Sequence, residues 1–572
     1  MANEYSVNQS DLVSVANAIR EKGGTSETLV FPDGFVGAVR AIQAGGGGTT
    51  PGVAMKDVKF YDYDGTLVAS YTLAEARELT ALPDGPAHDG LTFQGWNWSL
   101  EKINALIRPM NVGAMYITDD GKTRLKIRVW DTARSNVPLY FSQTVDNGVT
   151  IDWGDGSATE TLAGTGNKNT THQYTAAGDY TITLNPAGSC KLGLGHDSSS
   201  YCVMGSTGNN GKVYCNLLKD VEIGYNVKVD DNAFRYCYSL ASITIPNGIT
   251  SIGTYAFGSC YSLASITIPD GVTRIDNYTF NGCYSLASIT IPDGVTRIGT
   301  YAFQNCDSLA SITIPNGITS ISNDVFGGCY SLASITIPNG VTNIYHNAFQ
   351  NCTSLASITI PNGVTSISSS AFTGCTSLAS ITIPNGVTSI GNDAFGNCNS
   401  LASITIPNGV TSISNSVFNC CYSLASITIP DGVTSIGNSA FRSCYSLASI
   451  TIPNGVTSIG NNAFQNCYSL ASITIPNGVT SISSSAFTGC YSLASITIPD
   501  GVTSIGNNAF QNCYGVAEYH LKPTTPPTLS NTNAFANIPS DCVIYVPQGC
   551  LEAYQTATNW TTYASYMQEE PA

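Results

Sequence analysis

Apolar residues recur along this chain with a period longer than any helix or strand repeat. From Leu240 they run Leu240, Ile243, Ile245, Ile249, Ile252, Phe257 and Cys260, and Leu263 starts the same order again. The step is 23 residues, kept without slippage by thirteen cysteines from Cys237 to Cys513 and thirteen phenylalanines from Phe234 to Phe510. Inside the unit, Ser-Ile-Thr-Ile alternates small polar with β-branched apolar residues, which predicts a strand with one buried face. Pro246 ends it, because proline donates no ladder hydrogen bond, and Asn247-Gly248 or Asp270-Gly271 is expected to supply the positive φ of a tight turn. Val-Thr-Ser-Ile predicts a second short extended segment. The stretch carrying Ala-Phe and Cys reads as an irregular return with a large buried ring. A fixed period of roughly 20 to 29 residues marks a solenoid whose coils bury their apolar side only by stacking. At about 4.8 Å per strand, thirteen coils would run about 60 Å.

Ahead of the repeats the pattern changes several times. Ser10 can cap a helix whose Leu12, Val15, Ala16 and Ile19 share one face, and a second segment carries Phe35, Val39 and Ile42. The expected division is a helical module at 1–44, a Gly-rich linker at 45–52, β-rich domains at 53–108 and 109–187, and a transition at 188–235 that caps the solenoid. Repeats follow at 236–514, with a closing cap at 515–572.

Composition sharpens this picture. Between Cys237 and Cys513 there are eight aspartates, three arginines and no lysine or glutamate, so most of the 39 acidic and 23 basic residues lie outside the repeats. Ser, Thr, Asn and Tyr must keep the solenoid wet. A net charge of −16 with no basic cluster excludes a nucleic-acid surface. No run of 18 apolar residues offers a membrane span. The first twenty residues hold Glu4 and Asp11 and do not read as a secretory signal, which leads to the expectation that the chain stays in the cytoplasm of the cell that makes it. The in-register cysteines read as buried reduced thiols acting as small apolar residues, the alternative being disulfides between adjacent coils. Cys420, beside Cys421, reads as an accident of variation.

Twelve copies of Ser-Ile-Thr-Ile-Pro, with Val-Thr-Ser-Ile-Gly and Ala-Phe, resemble the leucine-rich repeats of the BspA type, and Asp541–Trp560 resembles that family's closing segment. Ile19–Phe35 resembles a short N-terminal module of tail and minor structural proteins of phages. Val58–Val68 with Leu91–Trp98 resembles the β-grasp repeat of internalin-like surface proteins. Val149–Ser157 followed by His172–Leu184 resembles the signature stretches of PKD-type sandwiches, in which the Asp-Gly turn and buried Tyr174 and Tyr180 are structural. Together these imply a mainly β multidomain chain: helical module, β-grasp-like domain, PKD-like β-sandwich, then a leucine-rich-repeat solenoid with a C-terminal cap.

Candidate chemistry is sparse. His88, His172, His196, His346 and His520 occur in no HExxH context, no GxSxG or GxxxxGK[ST] is present, and Cys190, Cys202 and Cys215 lack zinc spacing. Asp62-Tyr63-Asp64-Gly65 and Asp152 with Asp155 read as turns in preference to calcium sites, since position twelve of the first loop is Leu73. No enzyme, metal or cofactor is expected.

The surface is then the candidate. Ser242 and Thr244 recur unchanged in all twelve strands, and the position after Cys is Tyr238, Tyr261, Tyr284, Tyr330, Tyr422, Tyr445, Tyr468, Tyr491 or Tyr514 in nine coils. Either these groups are merely solvated, or they form a binding rim that gains avidity against a repeating ligand. The functional expectation is a phage tail-tip or fibre protein in the virion, made in the host cytoplasm. It would be joined to other tail or baseplate proteins through residues 1–44 and would bind a host cell-surface glycan or protein. A homotrimer is compatible with that role. The alternative is a BspA-type adhesin at the bacterial cell surface.

Overall fold

The computed structural model describes residues 58–62, 66–88, 91–96, 100–104, 110–118, 120–132, 135–195, 201–206, 212–225 and 227–571. The expected helical module, the Gly-rich linker and Tyr63–Gly65 lie outside them. The chain divides into two compact units between Tyr116 and Ile117.

In the first unit, strands β1 (Val58–Tyr61), β2 (Leu67–Tyr71), β3 (Leu91–Trp96) and β4 (Met110–Thr118) form a sheet of order β2-β1-β4-β3, with short helices α1 (Leu73–Arg77) and α2 (Leu100–Asn104). β1 pairs antiparallel with β2 and parallel with β4, a strand beyond residue 108. Phe60, Trp96, Ile103 and Val112 are its core, and the Trp96 indole donates to the Pro83 carbonyl at 2.7 Å. The Asp62 carboxylate meets His88 at 2.6 Å.

The second unit begins as two facing sheets. They are built from β5 (Thr123–Val129), β6 (Asn136–Gln143), β7 (Val149–Asp152), β8 (Glu160–Thr161), β9 (Gly166–Gln173), β10 (Gly178–Pro186) and β11 (Leu192–Leu194). Alternate residues of β5 and β6 point inward, among them Leu125, Ile127, Leu139 and Phe141. Tyr174 is buried and its hydroxyl donates to the Trp153 carbonyl at 2.8 Å, whereas Tyr180 is only half-buried and packs 4.2 Å from the Tyr174 ring. Next come a two-stranded ribbon, β12 (Tyr201–Cys202) with β13 (Gly205–Ser206), and helix α3 (Lys212–Cys215), followed by β14 (Leu218–Glu222), β15 (Val227–Val229) and β16 (Ser242–Thr244).

β14 pairs antiparallel with β5 and parallel with β16, the first repeat strand, so one sheet runs β16-β14-β5-β10-β7-β8. β15 pairs parallel with β11, and Val229 bridges to Ile252, which bridges to Ile275. Both sheets of the sandwich therefore continue into the two strand rows of the solenoid.

Each coil has three sides. Ser-Ile-Thr strands form the first row, each residue pairing with its counterpart one coil later, as Ser311 with Ser334 and Thr313 with Thr336. The second row pairs Ser320-Ile321 with Asn343-Ile344 and onward. The return, expected to be irregular, is a third backbone ladder: Phe257 N–H donates to the Thr279 carbonyl at 2.9 Å and Phe280 N–H to Ala302 at 2.8 Å. Phenylalanine rings stack along the axis, Phe372 on Phe395 at 5.5 Å and 1°. The cysteines are free and buried along the ladder, and from Cys260 onward each ladder thiol donates to a phenylalanine carbonyl of the preceding coil, as Cys283 to Phe257 at 3.2 Å.

One expectation about the corner is corrected. Gly248 and its counterparts have no positive φ. The corner closes instead by an i to i+3 bond, Ile249 N–H to the Pro246 carbonyl at 3.1 Å. At Gly271 the coils approach closely, since a Cβ there would lie 3.2 Å from the Ile249 carbonyl oxygen, whereas at Gly248 nothing lies within 4 Å. The left-handed residues sit in the return, two before Phe and one before Cys, such as Tyr255 (φ 56°) and Ser259 (φ 62°). Asn, Asp, Ser and Gly dominate these places because they tolerate that conformation. Cys420 (φ 60°) occupies one of them, half-exposed.

At the far end Glu518–Leu521, Val543–Val546 and Met567–Glu569 extend the first row. Phe535 continues the aromatic stack at 5.2 Å from Phe510, and Trp560 closes it, held by its indole donating to the Pro527 carbonyl at 2.7 Å.

Candidate functional site

Pairing at a constant 23-residue offset turns each exposed position into a straight column. Ser and Thr of the first row stand outward on either side of a buried isoleucine, giving two parallel hydroxyl columns. Near the C-terminal end they line a shallow groove of about 340 Å³, from Ser449 to Thr497. Hydroxyls both donate and accept, so the face can pair with either kind of polar group.

Ionisable side chains stand at both ends of these columns. In the Ser column Asp220 precedes Ser242 and Glu518 follows Ser495; in the Thr column Glu222 precedes Thr244 and His520 follows Thr497. Asp220 pairs with Lys126 at 2.7 Å and accepts the Ser242 hydroxyl at 2.7 Å. The Ser242 hydroxyl is thus engaged at the border, while Thr244 and the later Ser and Thr side chains face solvent. At the other border His520 lies 3.2 Å from Glu518 and 3.0 Å from Glu570, which also accepts from Lys522 at 2.7 Å. The hydroxyl face is an uncharged strip framed by ion pairs.

The post-cysteine tyrosines form two separate stacks. Tyr238, Tyr261 and Tyr284 lie 4.4 and 4.6 Å apart, and Tyr422, Tyr445, Tyr468 and Tyr491 are spaced 4.7, 4.6 and 4.6 Å at interplanar angles of 2° to 7°. Tyr514 ends the second stack, tilted by 34°. Tyr330 stands between them among Asp307, Thr353, Thr376 and Asn399. Inside a stack each ring face is covered by its neighbours, so the ring edges and hydroxyls are what solvent meets. Burial pushes Tyr238 up to about 12 and raises Tyr468, so these phenols remain protonated donors.

A further row emerges only in three dimensions. Tyr255, Tyr278 and Tyr301 stack at 4.3 and 4.5 Å, and the Arg235 guanidinium lies 3.8 Å from the Tyr255 ring centre. Three tyrosines at 23-residue spacing were the available signal, hidden because the other coils carry Asp, Asn or Ser there.

Asp152 and Asp155 are engaged as turn acceptors, receiving the Gly154 and Ser157 N–H groups at 2.9 and 3.0 Å. Asp155 also meets His172 at 2.8 Å, whose ring stacks on Trp153 at 4.7 Å. Among the described residues no helix is long and apolar enough to cross a membrane.

Comparison with known proteins agrees with the coil. The profile of the BspA type leucine rich repeat region matches residues 227–356, 342–471 and 434–557. Among solved structures, a leucine-rich repeat protein of Bacteroides ovatus is 31% identical over 56% of this chain and 86% of its own, with a TM-score of 0.47. A leucine rich cell surface protein of Faecalibacterium prausnitzii is 27% identical over 65% of this chain and 95% of its own, with a TM-score of 0.37. No curated protein compared with the chain matches it. With the three-sided coil and the profile match extending from residue 227 to residue 557, over half its length, the chain belongs to the BspA-type leucine-rich repeat family.

Proposed function

We propose that the chain is a repeat-based binding protein of a bacterial cell surface, an adhesin of BspA type, whose solenoid holds a repeating polymer against its hydroxyl columns with the tyrosine edges alongside. The observation that carries this reading is the uncharged, register-locked Ser and Thr face framed by ion pairs. A polymer with a regular repeat meets the same weak site in successive coils and gains affinity by avidity. Neutral glycan chains fit best, since their hydroxyls exchange donors and acceptors with Ser and Thr, and an anionic polymer would find no lysine there.

Two variants of the full chain test it by attachment to host cells and to immobilised glycans. Ser472→Lys with Thr474→Lys places bulky charge in the groove, and attachment should fall by about tenfold or more as several sites are lost together. Tyr445, Tyr468 and Tyr491→Ser should weaken attachment with the fold retained; the same three changed to Phe keep the stacks and remove only the hydroxyls. Unchanged binding by the lysine variant would remove the hydroxyl face from the reading, and unchanged binding by the serine variant would leave the tyrosines a purely structural part.

A phage tail-tip protein is the second reading, favoured by the likeness of Ile19–Phe35 to tail-protein modules, residues that lie outside the described part. Antibody labelling of intact cells against purified phage particles separates the two.

A further inference from the structure

The thiol ladder changes character at its first member. From Cys260 onward each thiol donates to a phenylalanine carbonyl of the coil before, as Cys260 does to Phe234 at 3.2 Å. Cys237 instead faces two thiols from the cap, Cys202 and Cys215. All three are fully buried. The sulfurs of Cys202 and Cys215 lie 2.8 Å apart. Cys202 sits in the β12–β13 ribbon paired with Gly205, beside the Tyr201 ring stacked on Tyr140 at 4.8 Å, and Cys215 ends α3.

We propose that Cys202 and Cys215 are a site of redox modification, forming a disulfide that ties the ribbon to α3 beside the first coil when the protein meets a disulfide oxidant. The Cys202 thiolate attacks one sulfur of a small disulfide RSSR and expels RS⁻. Cys215, as thiolate, then attacks the Cys202 sulfur of the mixed disulfide and expels the second RS⁻. Two thiols and RSSR become one protein disulfide and two RSH, the two electrons passing to the oxidant and the two protons to the departing thiolates.

The cluster favours this order. Burial opposes charge on Cys202, yet S–H groups of Cys215 and Cys237 hydrogen-bond to it and hold its thiol well below the usual value, while Cys215 is raised. Ladder thiols are different: burial pushes Cys283, Cys375 and Cys467 up to about 12, leaving almost no thiolate to react. Because the pair is buried, the oxidant reaches it through a local opening of the cap that leaves the three thiols together.

The test is the full chain equilibrated with oxidised glutathione, acid-quenched, unfolded, alkylated with iodoacetamide and digested without reductant. The expected result is a Cys202–Cys215 peptide pair lighter by two hydrogens, with Cys260 to Cys513 alkylated, and a melting temperature above that of the reduced protein. Cys215→Ser removes the link and the shift. Cys237→Ser, which removes neither partner, keeps both and stands as the second variant should Cys215→Ser not fold. Alkylated Cys202 and Cys215 in the oxidised sample, or a link made to Cys237 instead, overturns the assignment.

Discussion

Tyr468 lies between Tyr445 and Tyr491, 4.6 Å from each, so both faces of its ring are covered and only its edge and hydroxyl meet solvent. Its identity as an amphipathic side chain was legible in sequence; the loss of its faces was not, because it depends on residues one coil away. Asp155 behaves the same way. Hydrogen bonds from Ser157 and from His172 hold its carboxyl down to about 2 from an ordinary 3.8. A carboxyl lowered by folding stabilises fully above its unfolded pKa and loses that contribution as pH falls toward the folded one. Asp155→Asn should therefore lower the melting temperature at neutral pH, with the gap to wild type narrowing below about pH 4 and closing near pH 2. A gap unchanged across acid melts would mean the charge of Asp155 contributes nothing. The left-handed residues were readable too, since Asn, Ser, Asp and Gly recur two before Phe and one before Cys. Asn-Gly and Asp-Gly commonly signal a hairpin turn, yet at Gly271 it is coil-to-coil clearance that favours a residue without a side chain.

Within the coil, stability comes from neighbours and from little else. Phe395 stacks between Phe372 at 5.5 Å and Phe418 at 5.8 Å with no exposed area. Phe395→Ala leaves a cavity that costs about 3 to 5 kcal/mol. Since each repeat contacts only the next, the loss should stay local. Hydrogen exchange is expected to quicken in the coils around Phe372, Phe395 and Phe418 and to stay unchanged around Phe257 and Phe535; uniform acceleration along the chain would contradict nearest-neighbour coupling. The strands and the ring were plain from periodicity. The return ladder was not, because its N–H donors pair with carbonyls in the next coil and leave no period-2 pattern.

Across the second unit, the two sandwich sheets lead into the two strand rows of the coils, and the first row ends on the closing strands. The sandwich is thereby a sheet-continuous end to the solenoid, and the C-terminal segment is the other. Ending the chain after residue 514 would expose the Phe510 ring, Cys513 and the unpaired edge of Ser495–Ile498. Such an edge templates association, so the truncated protein should form large oligomers by light scattering under conditions where the full chain does not. A monodisperse truncation would show that the coils close themselves.

Sequence alone determined the period, the buried Leu, Ile, Phe and Cys spine, the hydroxyl and tyrosine columns and the need for a cap, because a solenoid repeats its local chemistry at a fixed offset. Tertiary structure decided what that offset could not encode: the sandwich sheets feeding both strand rows, Ser242 engaged by Asp220, the covered tyrosine faces and the meeting of Cys202, Cys215 and Cys237. These depend on the non-repeating ends, or on the distance between adjacent coils, and neither is a property of any one residue's type.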